Sequence, residues 1–560
     1  MPPIEHDQGL LEQFRGLSAL VTHQERSLVK GPRLKAEAPS DHGGSGRHHE
    51  DVQVSTLFLR NSAANIVIGA STAIVSLGVP SVLVRTLSPS EFAVWALVLQ
   101  IAGYTGILNL GLQDAVGRYV AYHEERRDAE ARDEFVNTSL WVLSLMAIFA
   151  TSGVVAAVLF LDRLFPRIPS ELMSAARGIL LATGITLSCG LPFSVFNGIL
   201  VGLRRNGIVA GVVGTTKVIL GGLLSIIGWT SHSLYWLTRC FVVVNAISYI
   251  ALWFCCAKVT TVSLRIRMPN WGALREIWSY CGTVTVWQIG LLMISGFDVI
   301  IVGRVDFGSL PYYIVCLAPI TVLAGLMPAL FNPLLQVGAI YAAREQEAEL
   351  MGLLARSTRL ATVAMASIAL PIIVFEQEIL TVWLGREYAV KVAPILWLVV
   401  LGHGFRQLAF PYTTLLLATK KHDKLLLSPL VEGISNVIVA AVAGSVFGVR
   451  GVASAVVVGA IVGQLMNYYY NLPRTHGYAF DRAALVRRSV LRPALCFSPL
   501  VVLALTNRFN FPEYLSVDIR VALFLACFAL LWKFAIDSEE QEAVLKLLSR
   551  IGPSRHRTAK

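Results

Sequence analysis

Gly207-Ile-Val-Ala-Gly-Val-Val-Gly-Thr-Thr-Lys217-Val-Ile-Leu-Gly-Gly-Leu-Leu-Ser-Ile-Ile-Gly-Trp229 is an apolar run that carries a single charge, Lys217. A helix rises about 1.5 Å per residue and the hydrocarbon core of a bilayer is about 30 Å thick, so about 20 such residues suffice to cross it. Comparable runs extend outward from this one at 58–83, 92–112, 136–160, 178–202, 233–257, 280–303, 311–337, 353–375, 392–418, 425–447, 451–471, 490–506 and 519–536. The 560 residues are 55% hydrophobic and 15% charged, with a mean hydropathy of +0.62, which does not suit a water-facing surface. A soluble multi-domain protein is excluded. The sequence predicts an all-α polytopic membrane protein with about 14 transmembrane helices. The last two runs are the shortest, and a twelve-span chain with two re-entrant pieces is the alternative.

Orientation follows from the Lys and Arg residues, which are in excess on the cytoplasmic side of membrane proteins. With the N-terminus inside, 34 of the 47 fall in inner segments, 10 in outer loops, and Lys217, Arg239 and Arg406 within spans. Both termini are therefore expected in the cytoplasm. The net charge of +11 reflects this bias and suits an anionic inner leaflet, with no need for nucleic acid. Residues 1–55 are expected to form a disordered cytoplasmic tail and 537–560 a second one. The eight cysteines lie in or beside apolar runs without CxxC or Cys/His spacing, which reads as packing rather than a disulfide framework or a metal site.

A long-period echo divides the chain. Val82-Leu-Val-Arg85-Thr-Leu-Ser-Pro-Ser-Glu-Phe92 follows the first span and Ile301-Val-Gly-Arg304-Val-Asp-Phe-Gly-Ser309 the seventh, their arginines 219 residues apart. The basic pair Arg204-Arg205 ends the fourth span and Lys420-Lys421 the tenth, 216 apart. Two anchors at nearly one offset predict an N-lobe at 56–257 and a C-lobe at 280–471, each of six helices. A cytoplasmic linker at 258–279 would join them, and 472–536 would supply a second linker and the last two helices.

The run Leu83-Val-Arg85-Thr-Leu87-Ser-Pro-Ser-Glu91-Phe-Ala-Val-Trp95, followed by Leu108-Asn-Leu-Gly111-Leu-Gln-Asp-Ala115-Val-Gly-Arg118-Tyr-Val-Ala121, resembles the opening signature of Wzx-like polysaccharide flippases. These belong to the multidrug/oligosaccharidyl-lipid/polysaccharide (MOP) exporter superfamily. Phe196-Asn-Gly198-Ile-Leu200 and Val382-Trp383-Leu-Gly385-Arg-Glu-Tyr388 are also similar to that family, and the resemblance covers roughly residues 56–475. Asn109 stands where the family often has Asp, and Leu87-Ser88 where Leu-Gly is usual, so no carboxylate role transfers to position 109. The resemblance implies two lobes in a MATE-like arrangement in a bacterial inner membrane. It also implies export of a lipid-linked saccharide by alternating access, without ATP hydrolysis by the chain itself.

A charge within the bilayer costs several kcal/mol unless it faces water or a partner, which singles out Lys217, Arg239, Asp298, Arg406 and Glu432. Nearer the interfaces lie Arg60, Arg85, Arg118 and Arg304, all of which can also reach water by snorkelling. Guanidinium matches phosphate oxygens bidentately, so the cations, with Asn61 beside them, are candidate ligands for a pyrophosphate-linked sugar. Asp298 and Glu432 are candidates for a coupling ion, or for ion pairs with the cations. Asn436 shares a helix face with Glu432, and His403 and Gln407 flank Arg406. Gly207-x-x-x-Gly211 and Gly459-x-x-x-Gly463 suggest close helix packing.

No GxxxxGK[ST] loop, triad or zinc motif stands out, and no cofactor is implied. No outer loop exceeds about 20 residues, which argues against a glycan-assembling membrane enzyme. The reading is a non-enzymatic flippase for a polyprenyl-pyrophosphate-linked oligosaccharide. Its partners would be the bilayer and, around it, polymerase and glycosyltransferases. The runner-up is a cation-coupled drug or metabolite antiporter of the same superfamily, which an acidic, aromatic-rich cavity would favour.

Overall fold

The computed structural model describes residues 69, 71–260, 262, 271–419, 421, 425–476, 481–508, 517–536 and 541. Among these, every regular element is helical. The N-terminal tail, Arg60, Asn61, residues 263–270 of the linker, and the C-terminal tail apart from residue 541 lie outside the described residues.

The first half comprises α1 (Ser71–Thr86), α2 (Pro89–Gly103), α3 (Leu112–Glu125), α4 (Ala129–Leu159), α5 (Ser170–Gly202), α6 (Asn206–Ser231) and α7 (Leu234–Val259). The second comprises α8 (Trp271–Ser295), α9 (Phe297–Val305), α10 (Leu310–Phe331), α11 (Pro333–Ala343), α12 (Glu347–Val374) and α13 (Glu376–Leu384). It continues through α14 (Arg386–Gln407), α15 (Phe410–Ala418), α16 (Leu427–Phe447) and α17 (Val449–Met466). Then follow α18 (Arg482–Cys496), α19 (Ser498–Arg508) and α20 (Val517–Phe534).

Eleven spans among the described residues are long and apolar enough to cross a bilayer, and a twelfth if α18 and α19, bent by 61°, act as one. Among the described residues the expected count of 14 is not reached. Helix α1 starts at the edge of the described residues, and α20 carries Asp518, Arg520 and Lys533 in 18 residues, which lowers its apolarity.

Several motifs owe their residues to local physics. In Leu87-Ser-Pro-Ser-Glu91, the Ser88 hydroxyl accepts from the Glu91 N–H at 3.3 Å and the Ser88 N–H donates to Glu91 Oε2 at 2.9 Å. This reciprocal cap, with Pro89 in the first turn, starts α2. Gly198 and Gly202 of α5 lie against the backbone oxygens of Gln113 and Gly117 on α3, where a β-carbon would collide. Gly117 faces the Gly198 oxygen in turn, so the two motifs form one seam of close helix contact. Gly459 and Gly463 lie instead against the side chains of Asn436 and Glu432 on α16, whereas Gly211 faces open space. Six of the eight cysteines are buried, all within apolar clusters.

Helix α5, the fourth span of the first half, packs on α2, α3, α4 and α7; α14, the fourth of the second, packs on α10, α12 and α17. The halves meet mainly where α2 touches α9 and α10, and where α8 touches α3 and α4. One large apolar core holds residues of both halves at the end away from the Lys- and Arg-rich loops: Leu83, Trp95 and Phe165 with Phe307, Leu384 and Val449. Toward the basic end the core splits into a cluster on α3, α4 and α5, which Cys281 of α8 joins, and another on α12, α15 and the chain near Leu472. The molecule is thus sealed by a shared core at one end and divided at the other except where α8 lies against α3 and α4. Helices α18 to α20 dock on α12 through Val374, Phe497, Leu500 and Cys527.

Outward faces carry apolar side chains such as Ile148, Phe149 and Ile247. Trp229, Tyr235 and Trp236 are exposed around the turn joining α6 and α7, the amphipathic ring placement of a membrane interface.

Candidate functional site

A network of charged and polar side chains lies inside the second bundle. Asp298 opens α9 just after the break at Gly296 and is buried. Its Oδ2 accepts from the Tyr313 hydroxyl at 3.2 Å, and its Oδ1 accepts from Asn436 Nδ2 at 2.9 Å. The same Asn436 amide also donates to the carbonyls of Met293 (3.3 Å) and Ile294 (3.2 Å), at the end of α8 that the break leaves unpaired. One turn earlier on α16, Glu432 is ion-paired with Arg406 Nε of α14. Arg406 Nη1 approaches His403 Nδ1 at 2.9 Å, and Gln464 of α17 donates to the Phe405 carbonyl at 2.8 Å. Arg406 Nη2 is a buried donor without a partner among the described residues. Gly459 and Gly463 make this possible: one leaves room for Asn436 and the other for the Glu432 carboxylate.

A second polar place lies between the bundles. The second span breaks after Gly103: Tyr104–Asn109 forms a tighter turn, and Leu110 (φ 54°) and Gly111 (φ 73°) are left-handed before α3 resumes. Any side chain at 111 would strike Val284 of α8, so glycine is required both by conformation and by the close approach of the other bundle. Asn109 closes the break, donating to Ser194 Oγ at 2.7 Å and accepting from the Gln113 N–H at 3.2 Å. The Tyr104 hydroxyl donates to the carbonyl of Gly296, and its ring stacks on Phe297, so the breaks of the second and seventh spans face one another. Beside them is a crevice of about 410 Å³ lined by Gly103, Gly106, Asn109, Gln113, Asp114 and, from α8, Gln288, with Ile107, Leu110 and Gly111.

The other candidate residues are dispersed. Lys217 is half-buried and donates to Thr72 Oγ1 at 2.9 Å. Arg118 is exposed on α3 one turn beyond Asp114, on the same helix face. Arg85 is exposed at the sealed end and donates to the Trp383 carbonyl at 3.0 Å and, at 3.4 Å, to that of Val382. Trp383 returns its indole N–H to the Leu77 carbonyl at 2.9 Å. Arg239 is exposed with its guanidinium 5.6 Å from the Trp236 ring, and Arg304 is exposed at the end of α9. The structure thus joins Arg406, Glu432, Asp298 and Asn436 in one region and leaves Arg85, Arg118, Lys217, Arg239 and Arg304 apart from it. Tyr313, Gln113, Asp114 and Gln288 were not singled out by sequence. A hydroxyl and amides carry no charge signal, and Asp114 stands just past the end of an apolar run.

Two helical bundles, each packed around its fourth span, have the fold of solved MOP-superfamily transporters, and the chain is a multi-pass membrane protein. It is similar to a multidrug resistance MATE family transporter of the MOP superfamily in an inward-facing conformation, with a TM-score of 0.56, 16% identity, and coverage of 76% of this chain and all of that one. It is similar also to lipid II flippase MurJ in an inward closed conformation, with a TM-score of 0.59, 14% identity, and coverage of 85% of this chain and 99% of that one. In sequence it is 22% identical over 362 residues to a Shigella flexneri protein described as "Putative O-antigen transporter", covering 63% of this chain and 82% of that one. No family model matches the chain. The resemblance to Wzx-like flippases read from the motifs is supported by these relatives.

Proposed function

We propose that this chain is a flippase that moves a polyprenyl-pyrophosphate-linked oligosaccharide across the bacterial inner membrane by alternating access, and is not an enzyme. The observation that carries the reading is the polar crevice between the bundles on the divided side of a MOP-type fold, with Arg118 further along the same wall. The O-antigen name of the sequence relative and the lipid II name of the structural one favour a lipid-linked saccharide as cargo. The pyrophosphate is assigned to the cations, Arg118 and Lys217 first, together with Arg60 and Asn61. The carrier chain stays in lipid while the lobes, 56–257 and 280–471, rock about their sealed end. Asp298 and Glu432 are assigned to ion coupling, since a buried carboxylate pair beside one arginine leaves room for a cation or a proton. Both termini face the cytoplasm in this reading, near the polymerase and glycosyltransferases that make and consume the cargo.

The test is deletion of the gene followed by measurement of lipid-linked oligosaccharide on the cytoplasmic face of membranes. Accumulation, relieved by the intact chain, is expected. Unchanged lipid-linked oligosaccharide with a new sensitivity to cationic drugs would overturn the reading in favour of the antiporter. That second reading is kept because Arg406 is occupied by Glu432 and the crevice itself contains a carboxylate.

A further inference from the structure

We infer that the crevice between α3 and α8 seats the sugar of the cargo, as an uncharged polyol recognised by hydrogen bonds from Gln113, Asp114 and Gln288; this rests on the flippase reading above. Gln288 and Asp114 are exposed and Gln113 half-buried, on helices whose membrane-spanning windows are otherwise apolar. Among the described residues no protein group takes up the Asp114 carboxylate or the Gln288 amide. All three lie on helices long and apolar enough to cross a membrane, where polar groups are tolerated if they line a water-filled gap and mark the path of a polar cargo.

The chemistry of the lining is selective. A carboxylate accepts two or more hydrogen bonds, and an amide both donates and accepts, which is the set that neighbouring hydroxyls of a sugar ring require. Among the described residues that line the crevice there is no lysine, no arginine and no aromatic ring. A phosphate would find no cation there, and a planar cationic drug no face to stack on. Gly103 and Gly106 have open space where a β-carbon would stand, so the backbone of the broken turn is accessible, and its peptide groups lie outside a regular α-helical ladder. The volume of about 410 Å³ falls in the range of small-molecule sites, about 300–1,000 Å³.

The site is also built to let go. Gln113 and Asp114 belong to one bundle and Gln288 to the other, so rocking about the contact of Gly111 with Val284 separates the two sides of the grip. Arg118, one turn along the exposed face of α3, sits toward the basic end, so a pyrophosphate held there leaves the first sugar pointing into the crevice.

The experiment uses the full chain in lipid nanodiscs with two probes, polyprenyl pyrophosphate and the same carrier bearing a disaccharide. Wild type is expected to bind the glycosylated probe the more tightly. Gln288→Ala and Asp114→Asn should each weaken it about tenfold while leaving the bare carrier within about twofold, which also shows that the variants are folded. Equal affinity of wild type for the two probes, equal loss of both in the variants, or no loss of either overturns the sugar site and leaves the flippase reading standing. Failure of wild type to bind either probe overturns the flippase reading, and this inference with it.

Discussion

Gly463 of α17 lies directly beneath the carboxylate of Glu432 on α16, so close that no side-chain carbon fits between them. The small residue is what lets a charged group stay buried between helices and still reach Arg406. Gly463→Ala must push Glu432 off that position, and overpacking of this kind costs about 1–3 kcal/mol. The thermal unfolding midpoint of the purified protein should fall, whereas Gly211→Ala, with open space at its β-carbon, should leave it unchanged. A stable Gly463→Ala protein would show that the seam yields more easily than the geometry says.

Breaking the Arg406–Glu432 pair from one side leaves a buried charge without its counter-ion. With side-chain exposures of 16% and 10%, both groups are largely withdrawn from solvent. Arg406→Ala should therefore destabilise the chain by about 3 kcal/mol. Adding Glu432→Gln should recover a good part of that loss, because the orphaned carboxylate is then gone. A double-mutant cycle on unfolding midpoints reads the coupling directly. If the two losses simply add, the pair does not act as a unit.

The fold was legible because its signal is coarse: lengths and spacing of apolar runs survive whatever each side chain does. The motifs were legible for a different reason. Ser88-Pro-Ser-Glu91 is a helix cap, and Gly117, Gly198 and Gly202 are a contact seam, so their residue types are dictated by local geometry. The candidate site was read less completely, since a filter for charge within spans finds Asp298, Arg406 and Glu432 but cannot see which of them meet. It overlooks the neutral donors Tyr313 and Asn436 that complete the network, although Asn436 was placed on the right face by its spacing from Glu432. It also cannot find a crevice formed by a break at Tyr104–Gly111, because only packing shows that Gln288 comes to stand opposite Gln113.

Arg85 donates to the Trp383 carbonyl of α13 across the two halves at the sealed end, and the Trp383 indole donates back to the Leu77 carbonyl of α1. Each such bond contributes about 0.5–1.5 kcal/mol to the shape that has it, a shift of about 2- to 10-fold in population. Arg85→Ala and Trp383→Phe should raise the fraction of molecules open at this end. Spin labels on exposed positions of the two halves near Val382 and His232 would report the change as a longer distance component. An unaltered distance distribution in both variants would show that the apolar core alone holds the seal.

Lys217 is the charge whose surroundings say most about cargo. Its ammonium donates to Thr72 Oγ1 and has no carboxylate partner among the described residues, so its charge is left available to an anion. Lys217→Ala should lower export of the saccharide several-fold with little change in the amount of folded protein, and Lys217→Arg should restore most of it, because charge rather than shape is what a pyrophosphate requires. Thr72→Val removes the hydrogen bond while keeping the charge, and should leave export near normal. Loss of export in Thr72→Val equal to that in Lys217→Ala would mean that the pair serves to join α1 to α6 and that the pyrophosphate is held elsewhere.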